Sequence, residues 1–296
     1  MRNKIVILML GVLLSCGELA QAGTWFTLDM PGASGTKIYG ISGSNIVGSS
    51  SLGNFLYNMA TNSWTILNTP DVINGIDGSN AVGDYGDYYS RHGFLYDGAT
   101  LTTIDMPGAA STRINGIDGS NIVGYYDTGR GTLKHGFLNN GANWTTLDMP
   151  GSQPGTSYET IISDIDGSNL VGWCPTNGGA SSHGFLYNLT TNIWTSLDMP
   201  VGGSTRILGI NGNNLVGQYQ NYNLHGFLYD GINWTTLDMP EANGHSTLIS
   251  DIDDNKIVGY YYDSSGNVHG FVYTIPEPAT VSFLLFGLFG IRKLKH

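Results

Sequence analysis

Histidine is the residue type in this chain that is best suited to binding metal ions or moving protons near neutral pH. Five of the seven histidines begin the phrase His-Gly-Phe, and these are His92, His135, His183, His225 and His269. A metal ion needs several ligands around one point, whereas these residues hold the same place in successive copies of a phrase. We therefore expect each imidazole to form a hydrogen bond with a neighbouring strand or loop, and we expect no metal site.

The aspartates also recur at fixed places. One set precedes a Met-Pro or equivalent pair and comprises Asp29, Asp105, Asp148, Asp198 and Asp238; a second set comprises Asp77, Asp118, Asp166 and Asp253. We expect the first set to accept hydrogen bonds at strand ends and the second to form turns, since the second lacks the spacing and final glutamate of an EF-hand. Glu241 and His245 are not repeated, but no nucleophile, base and orienting acid stand out together. We predict no catalytic residues, no cofactor and no enzymatic activity.

These residues belong to phrases that recur six times in the same order, about 40 residues apart. One copy contains GIDGSNIVG from Gly116, HGFLN from His135 and WTTLDMP from Trp144. Each phrase is too short for a helix, is rich in β-branched and aromatic residues, and is bounded by Gly, Asn and Asp, so each predicts strands. Asp-Gly pairs are typical of hairpin turns, and each copy is therefore predicted to be a four-stranded antiparallel meander.

Both faces of each meander carry apolar side chains. Phe227 and Tyr229 must point to one face and Leu228 to the other, because side chains alternate along a strand. Stacking six such sheets around an axis buries both faces and predicts an all-β, six-bladed β-propeller with four-stranded antiparallel blades. The chain begins with an unpaired outer strand at residues 25–30, and its last copy lacks one. We therefore predict that the N-terminal strand completes the last blade and closes the ring.

The N-terminal residues have the parts of a secretory signal. Arg2 and Lys4 precede an apolar run over residues 5–14, and Ala20 and Ala22 form a small-residue cleavage site. We expect a signal peptide over residues 1–22 with cleavage after Ala22, the alternative being lipoprotein processing at Cys16. Residues 23–274 then form the propeller, and residues 275–296 form a separate tail. After ordinary cleavage Cys174 has no cysteine partner, and we expect it to be buried.

The tail combines three parts in a fixed order: Pro276, Glu277 and Pro278, an apolar run over residues 279–291, and the basic end RKLKH. The apolar run is predicted to form a short helix, shorter than the roughly 20 residues of a membrane span, and its basic end is expected to stay cytoplasmic. The tail from Ile275 to His296 resembles the PEP-CTERM sorting signal, which an exosortase recognises. The resemblance implies transient anchoring in the inner membrane, processing near residues 276–278, and delivery to the cell surface or the extracellular matrix. A plain C-terminal membrane anchor is the alternative.

The repeats between Thr24 and Thr274 resemble the HAF family of extracellular repeats, whose units carry a His-x-Phe phrase and a Gly-Ile-Asn/Asp phrase followed by Val-Gly. The first copy departs from the pattern at Asn54. The resemblance implies an exported protein and no particular activity. The net charge of -11 argues against nucleic acid as a partner.

Function is expected where the copies differ, because binding residues concentrate on variable loops over a rigid scaffold. The second copy carries an acidic and aromatic insertion that is suited to stacking on sugar rings, with the candidate residues Asp84, Tyr85, Asp87, Tyr88 and Tyr89. The fourth copy is lengthened at residues 152–160 and 174–182. Solvated linkers are the alternative for all three segments. We expect a non-catalytic surface or matrix protein with a structural or adhesive role. The alternatives are a glycan-binding, lectin-like module that contacts exopolysaccharide or another surface glycan and, behind it, a polysaccharide-active enzyme.

Overall fold

The computed structural model describes residues 23–130, 132–151, 159–176, 181–201 and 203–276. The predicted signal residues Ala20 and Ala22 lie outside the described residues, as do Glu277 and Pro278 of the tail. The described elements are β-strands and one 3-10 turn at Pro240–Ala242. None of the described segments forms a helix that is long and apolar enough to cross a membrane.

The strands form six antiparallel sheets of four strands each. Blades 1 to 3 contain β2 Thr36–Ser42, β3 Asn45–Ser50, β4 Gly53–Asn58 and β5 Ser63–Ile66; β6 Val72–Asp77, β7 Asn80–Asp87, β8 Ser90–Tyr96 and β9 Leu101–Thr103; and β10 Ser111–Asp118, β11 Asn121–Asp127, β12 His135–Asn139 and β13 Trp144–Leu147. Blades 4 to 6 contain β14 Ile161–Asp166, β15 Asn169–Pro175, β16 Ser182–Asn188 and β17 Ile193–Leu197; β18 Ser204–Asn211, β19 Asn214–Asn221, β20 Asn223–Tyr229 and β21 Trp234–Leu237; and β22 Thr247–Asp253, β23 Lys256–Tyr262, β24 Val268–Thr274 and β1 Thr24–Thr27. The first strands of successive blades contact one another around a full circle, from β2 through β22 and back to β2. The predicted six-bladed β-propeller is confirmed.

The ring has two different faces. The mouth face contains the links between blades and the hairpins that join each second strand to its third. The turn face contains the remaining hairpins, which join first to second strands and third to fourth strands. The first strands lie innermost, so their side chains line the central channel between the two faces.

The predicted closure of the ring is also confirmed. β1 pairs with β24 from Thr24 opposite Thr274 to Thr27 opposite Phe271. The indole of Trp25 packs against Phe271 and Tyr273, with ring centroids 5.1 and 4.6 Å apart. The last blade therefore combines the two ends of the folded region.

In each blade a phenylalanine of the third strand packs against a glycine of the second strand. The phenylalanines of the third strands are fully buried: Phe55, Phe94, Phe137, Phe185, Phe227 and Phe271. Each lies over the glycine of the Val-Gly pair on the second strand. A Cβ on Gly124 would lie 2.0 Å from the carbonyl oxygen of Arg113, which is far too close. Glycine at this place therefore lets the first and second strands approach each other.

A chain of hydrogen bonds joins the hairpins on the turn face. The turn glycine of one blade donates its backbone N–H to the side chain that ends the first strand of the preceding blade. The pairs are Gly78 to Ser42, Gly119 to Asp77, Gly167 to Asp118, Gly212 to Asp166, and Gly43 to Asp253. Between blades 5 and 6 the amide of Asn211 donates to Asp253 instead. The second set of aspartates therefore flanks turns, as predicted, and also bonds neighbouring blades together.

We predict that Trp25→Ala destabilises the protein by about 2 to 4 kcal/mol, because it removes an aromatic side chain that packs against the closing blade. Phe26 is the matched control, since it lies beside Trp25 on the same strand and is 60% exposed. Phe26→Ala should change the free energy of unfolding by less than about 0.5 kcal/mol. Urea unfolding of the two variants measures the difference, and equal effects would contradict closure through β1.

Candidate ligand site at the channel mouth

The five repeated histidines form hydrogen bonds within their own blades. In each case the imidazole Nδ1 lies 2.6 to 2.8 Å from a carboxylate oxygen of the first set of aspartates. The pairs are His92 with Asp105, His135 with Asp148, His183 with Asp198, His225 with Asp238, and His269 with Asp29. In blade 1 both partners are absent together, since Gly53 and Asn68 stand in their places. The expected structural hydrogen bonds are therefore present.

The repeated polar residues do not gather at one point. Within the part of the chain that the structure describes, no three His, Cys, Asp or Glu side chains lie close enough to hold a metal ion together. Cys174 is buried at 5% exposure, as expected, and burial raises the pKa of its thiol. These residues support the fold, so the functional site must be sought among side chains that are not repeated.

Such side chains line the central channel, which encloses about 330 Å³. The first strand of every blade has a β-bulge, and the extra residue lines this channel. The six residues are Tyr39, Asn74, Asn115, Ser163, Leu208 and Ser250. Side-chain amides also bridge blades here: Asn74 donates to the Ile114 carbonyl and Asn115 to the Ile162 carbonyl, both at 2.7 Å. The channel wall therefore differs among blades, with asparagine at the bulge in blades 2 and 3 and serine in blades 4 and 6.

Two carboxylates occupy the channel at a place where the other four blades have glycine. Asp251 accepts hydrogen bonds from the backbone N–H groups of Ile41 at 2.9 Å and Ile252 at 2.7 Å. Asp164 accepts one from Ile210 at 2.9 Å. Burial raises the pKa of Asp251 to about 7 against the effect of those hydrogen bonds. Burial raises the pKa of Asp164 well above its usual range, and the charge of Asp251 raises it further.

Three cations surround the mouth of the channel, on alternate blades. Lys37, Arg113 and Arg206 occupy the same place on the first strands of blades 1, 3 and 5, two residues before the bulge. Blades 2, 4 and 6 carry Val72, Ile161 and Leu248 there. The sequence analysis missed this set, because the three cations are far apart along the chain and each looks like an ordinary strand residue. Their shared place before the isoleucine of each first strand is the signal that could have found them.

Aromatic rings lie under these cations. The Lys37 ammonium is 5.3 Å from the ring centre of Tyr260. The Arg206 guanidinium is 4.3 Å from the ring centre of Trp173. Arg113 lies 5.8 Å from Tyr125. Such distances are typical of cation–π contacts, so the rings hold the cations at the mouth.

The predicted ligand loop is a β-hairpin between β7 and β8, and its five candidate residues have different surroundings. Asp84 lies in the strand and is 4% exposed; its carboxylate pairs with Arg91 and accepts a hydrogen bond from Asn74. Burial raises the pKa of Asp84 despite the opposing charge of Arg91. Asp84 was predicted as part of the ligand loop, but it lies in strand β7, where its side chain stabilises the blade.

Tyr85 is also engaged within its blade. Its hydroxyl lies 2.9 Å from that of Thr103, and its ring packs against His92. Asp87 and the neighbouring tyrosines form the exposed tip of the hairpin, on the mouth face. Tyr88 and Tyr89 are 74% and 51% exposed, and their rings meet edge to face at 4.8 Å. The tip therefore retains the aromatic surface that the sequence predicted.

The described ends of the two lengthened segments of blade 4 lie on the mouth face. One is the link that enters the blade and the other joins its second and third strands. Residues 152–158 and 177–180 lie outside the described residues.

Comparison with known proteins identifies the fold and no family. No family model and no curated protein matches the chain. The β-propeller domain of the trilobed protease from Pyrococcus furiosus is similar with a TM-score of 0.51 at 9% identity, covering 81% of this chain and 82% of that one. That domain has an open velcro topology, whereas β1 closes the ring here.

Two further solved structures are longer proteins. An acylaminoacyl peptidase in complex with Z-Gly-Gly-Phe-chloromethyl ketone gives a TM-score of 0.51 at 11% identity, with 83% of this chain and 45% of that chain covered. TolB from Acinetobacter baumannii gives 0.46 at 12% identity, with 81% and 54% covered. This chain therefore spans about half the length of these proteins, and at such identities the likeness shows the propeller fold alone.

We predict that the channel carboxylates make stability fall as the pH rises. The pKa of Asp251 is higher in the folded protein than in the unfolded chain, so the folded state binds more protons between about pH 4 and 7. Between about pH 5 and 8 this residue should lower the free energy of unfolding by about 2 to 3 kcal/mol. Asp251→Gly introduces the glycine that four other blades have at this place. This variant should lose the part of the pH-dependent decrease in stability that Asp251 causes. Urea unfolding at both pH values measures it.

The control for this experiment is Asp87→Gly, because Asp87 is an exposed carboxylate at the tip of the β7–β8 hairpin. This variant should keep the pH dependence of the unmodified protein. A pH dependence in Asp251→Gly that equals the unmodified one would show that the channel carboxylate is not the source.

Proposed function

We propose that this protein is an exported, non-catalytic β-propeller with an adhesive role, which binds a glycan through its mouth face. The single observation that carries the proposal is the distribution of differences among blades. The contacts that hold blades together recur around the ring, whereas the channel-lining residues and the hairpins of the mouth face differ from blade to blade. Variable loops on a rigid scaffold are where binding residues concentrate.

The exposed side chains of the mouth face support binding. The hairpins between second and third strands carry exposed apolar or aromatic residues in several blades: Leu52, Tyr88, Tyr89, Leu133 and Tyr222, of which Tyr222 is 99% exposed. Tyrosine combines a flat apolar ring with a hydroxyl, which suits contact with the faces and hydroxyls of sugars. Glycan binding explains this composition better than a purely structural role does.

The location of the protein is part of the proposal. The signal-like N-terminus and the PEP-CTERM-like tail support export, transient anchoring in the inner membrane and processing by an exosortase. The mature protein then belongs to the cell surface or the extracellular matrix, where exopolysaccharide or another surface glycan is the available ligand.

A second candidate function is favoured by the channel carboxylates. Buried carboxyl groups with a raised pKa are typical acids and bases in enzymes, so Asp164 and Asp251 make a polysaccharide-active enzyme the alternative. Turnover of the host's own exopolysaccharide that is lost in Asp251→Gly would favour the enzyme over the binding protein.

We predict that a glycan array probed with the protein lacking its tail gives reproducible binding, and that Tyr88→Ala weakens it about tenfold or more because an aromatic contact is lost. Ile232→Ala is the matched control, since Ile232 is 83% exposed on the turn face. This variant should bind as the unmodified protein does. Absence of binding to every glycan would contradict the proposal.

We predict that the mature chain ends near Pro276 in cells that contain the exosortase and keeps its tail in cells that lack it. Mass spectrometry of the C-terminal peptide makes the measurement. A full-length tail in exosortase-containing cells would refute sorting by this route and would leave glycan binding to be decided by the array.

A further inference from the structure

The basic residues of the folded region are concentrated on one side of the ring. Between residues 23 and 276 the basic residues are Lys37, Arg91, Arg113, Arg130, Lys134, Arg206 and Lys256. Lys256 follows the turn between β22 and β23 on the turn face. The others lie at the mouth-face ends of first strands or in the hairpins of the mouth face. In a chain with net charge -11 this asymmetry requires a reason.

Structural ion pairs account for only part of the asymmetry. Arg91 pairs with Asp71 and Asp84, and Lys134 pairs with Glu159. Among the described residues, no carboxylate lies within ion-pair distance of the three mouth cations Lys37, Arg113 and Arg206. The charge of Arg113 lowers the pKa of Asp84, but the carboxylate of Asp84 already pairs with Arg91. The mouth cations therefore have charge available for a ligand.

The mouth cations also lie beside open space. A groove of about 280 Å³ borders Lys37, together with Tyr39 and the serines at the end of β3. A second groove, of about 200 Å³, borders Arg206 between Gln218 and Leu224. The Arg206 Nε makes a long hydrogen bond of 3.4 Å to Ser182, so its guanidinium has donors to spare. Each groove shares a lining residue with the channel, Tyr39 in the first and Gln218 in the second, and the rings of Tyr260 and Trp173 also line the channel.

This combination of groups selects a chemical class of ligand. Guanidinium and ammonium groups bind carboxylates or other anionic groups through charge-assisted hydrogen bonds. The aromatic rings that lie beside these cations bind flat apolar surfaces such as those of sugar rings. The cations stand on alternate blades, so one small anion does not reach all three, whereas a chain of charged sugars does. Asp164 and Asp251 lie deeper in the channel, where they accept hydrogen bonds from backbone N–H groups and form no ion pair with the three cations.

We propose that the glycan bound at the mouth is an acidic one, whose carboxylate groups pair with Lys37, Arg113 and Arg206 while its sugar rings lie on the aromatic side chains between them. This inference rests on the proposed function, because it names the chemistry of the glycan. The basic and aromatic surface adjoins the tip of the β7–β8 hairpin, since the Arg113 guanidinium lies 5.7 Å from the ring centre of Tyr88.

The test compares an oligoglucuronate with the same oligosaccharide after its carboxyl groups have been reduced to alcohols. Binding is followed by quenching of tryptophan fluorescence, since Trp173 lies in the site, and by titration calorimetry. The oligoglucuronate should bind at least about tenfold more tightly than its neutral form, and added salt should weaken the binding. This comparison uses the unmodified protein, so it does not depend on the folding of any variant.

Variants locate the charge that is responsible. Arg113→Gln and Arg206→Gln should each weaken oligoglucuronate binding about tenfold. Lys256→Gln is the matched control, because it removes one positive charge from the turn face, and its binding should stay unchanged. Circular dichroism confirms that the variants are folded.

The other outcomes are distinct. Equal binding of the charged and the neutral oligosaccharide would overturn the acidic ligand and keep the proposed glycan-binding function. Binding of inorganic phosphate or sulfate as tight as that of oligoglucuronate would also overturn it, because the sugar would then contribute nothing. Absence of binding to every carbohydrate would overturn the proposed function itself.

Discussion

The propeller depends on the close contact between the third strand of each blade and the first strand of the next. The glycine of His-Gly-Phe makes that contact possible: a Cβ on Gly93 would lie 2.6 Å from the Cδ1 atom of Ile114 in the following blade, and Gly184 stands in the same relation to Ile207. The isoleucines are fully buried there. Because part of each core is supplied by a neighbour, no blade has a complete core alone. Five of the six blades keep the glycine of the phrase, and blade 1 has Asn54 in its place.

Local signals predicted most of the fold because each phrase specifies one strand, and the surplus outer strand at the start of the chain predicted the closure. The candidate site was less predictable. Asp84 and Tyr85 were placed in the predicted ligand loop because they belong to the acidic and aromatic insertion, yet both lie in strand β7. Tyr85 lies opposite His92 as Tyr126 lies opposite His135, so aligning the copies by strand register would have identified it as a repeated residue.

The mouth cations escaped sequence reasoning for a different physical reason. Lys37, Arg113 and Arg206 are brought to one face only by the closed ring. Their occurrence on every second blade can be seen only after the strands have been assigned to blades. Asp164 and Asp251, which replace glycine in blades 4 and 6, are likewise brought into one channel only by the closed ring. Along the channel axis the cations therefore form an outer layer and the carboxylates an inner one. Repeated polar residues hold the ring together, and unrepeated ones give the channel its polarity.

The pairing of β1 with β24 also determines how the molecule would bear a mechanical load. β24 has hydrogen-bonded neighbours on both sides, and Ile275, just beyond it, donates its N–H to the carbonyl of Asn255 on the turn face. A pull on the chain beyond Thr274 therefore acts at once on the hydrogen bonds that join β24 to both of its neighbouring strands. These bonds are loaded in shear, and no edge strand is peeled away. The pull is applied to the turn face, so the opposite face with its channel mouth is directed away from whatever holds the chain.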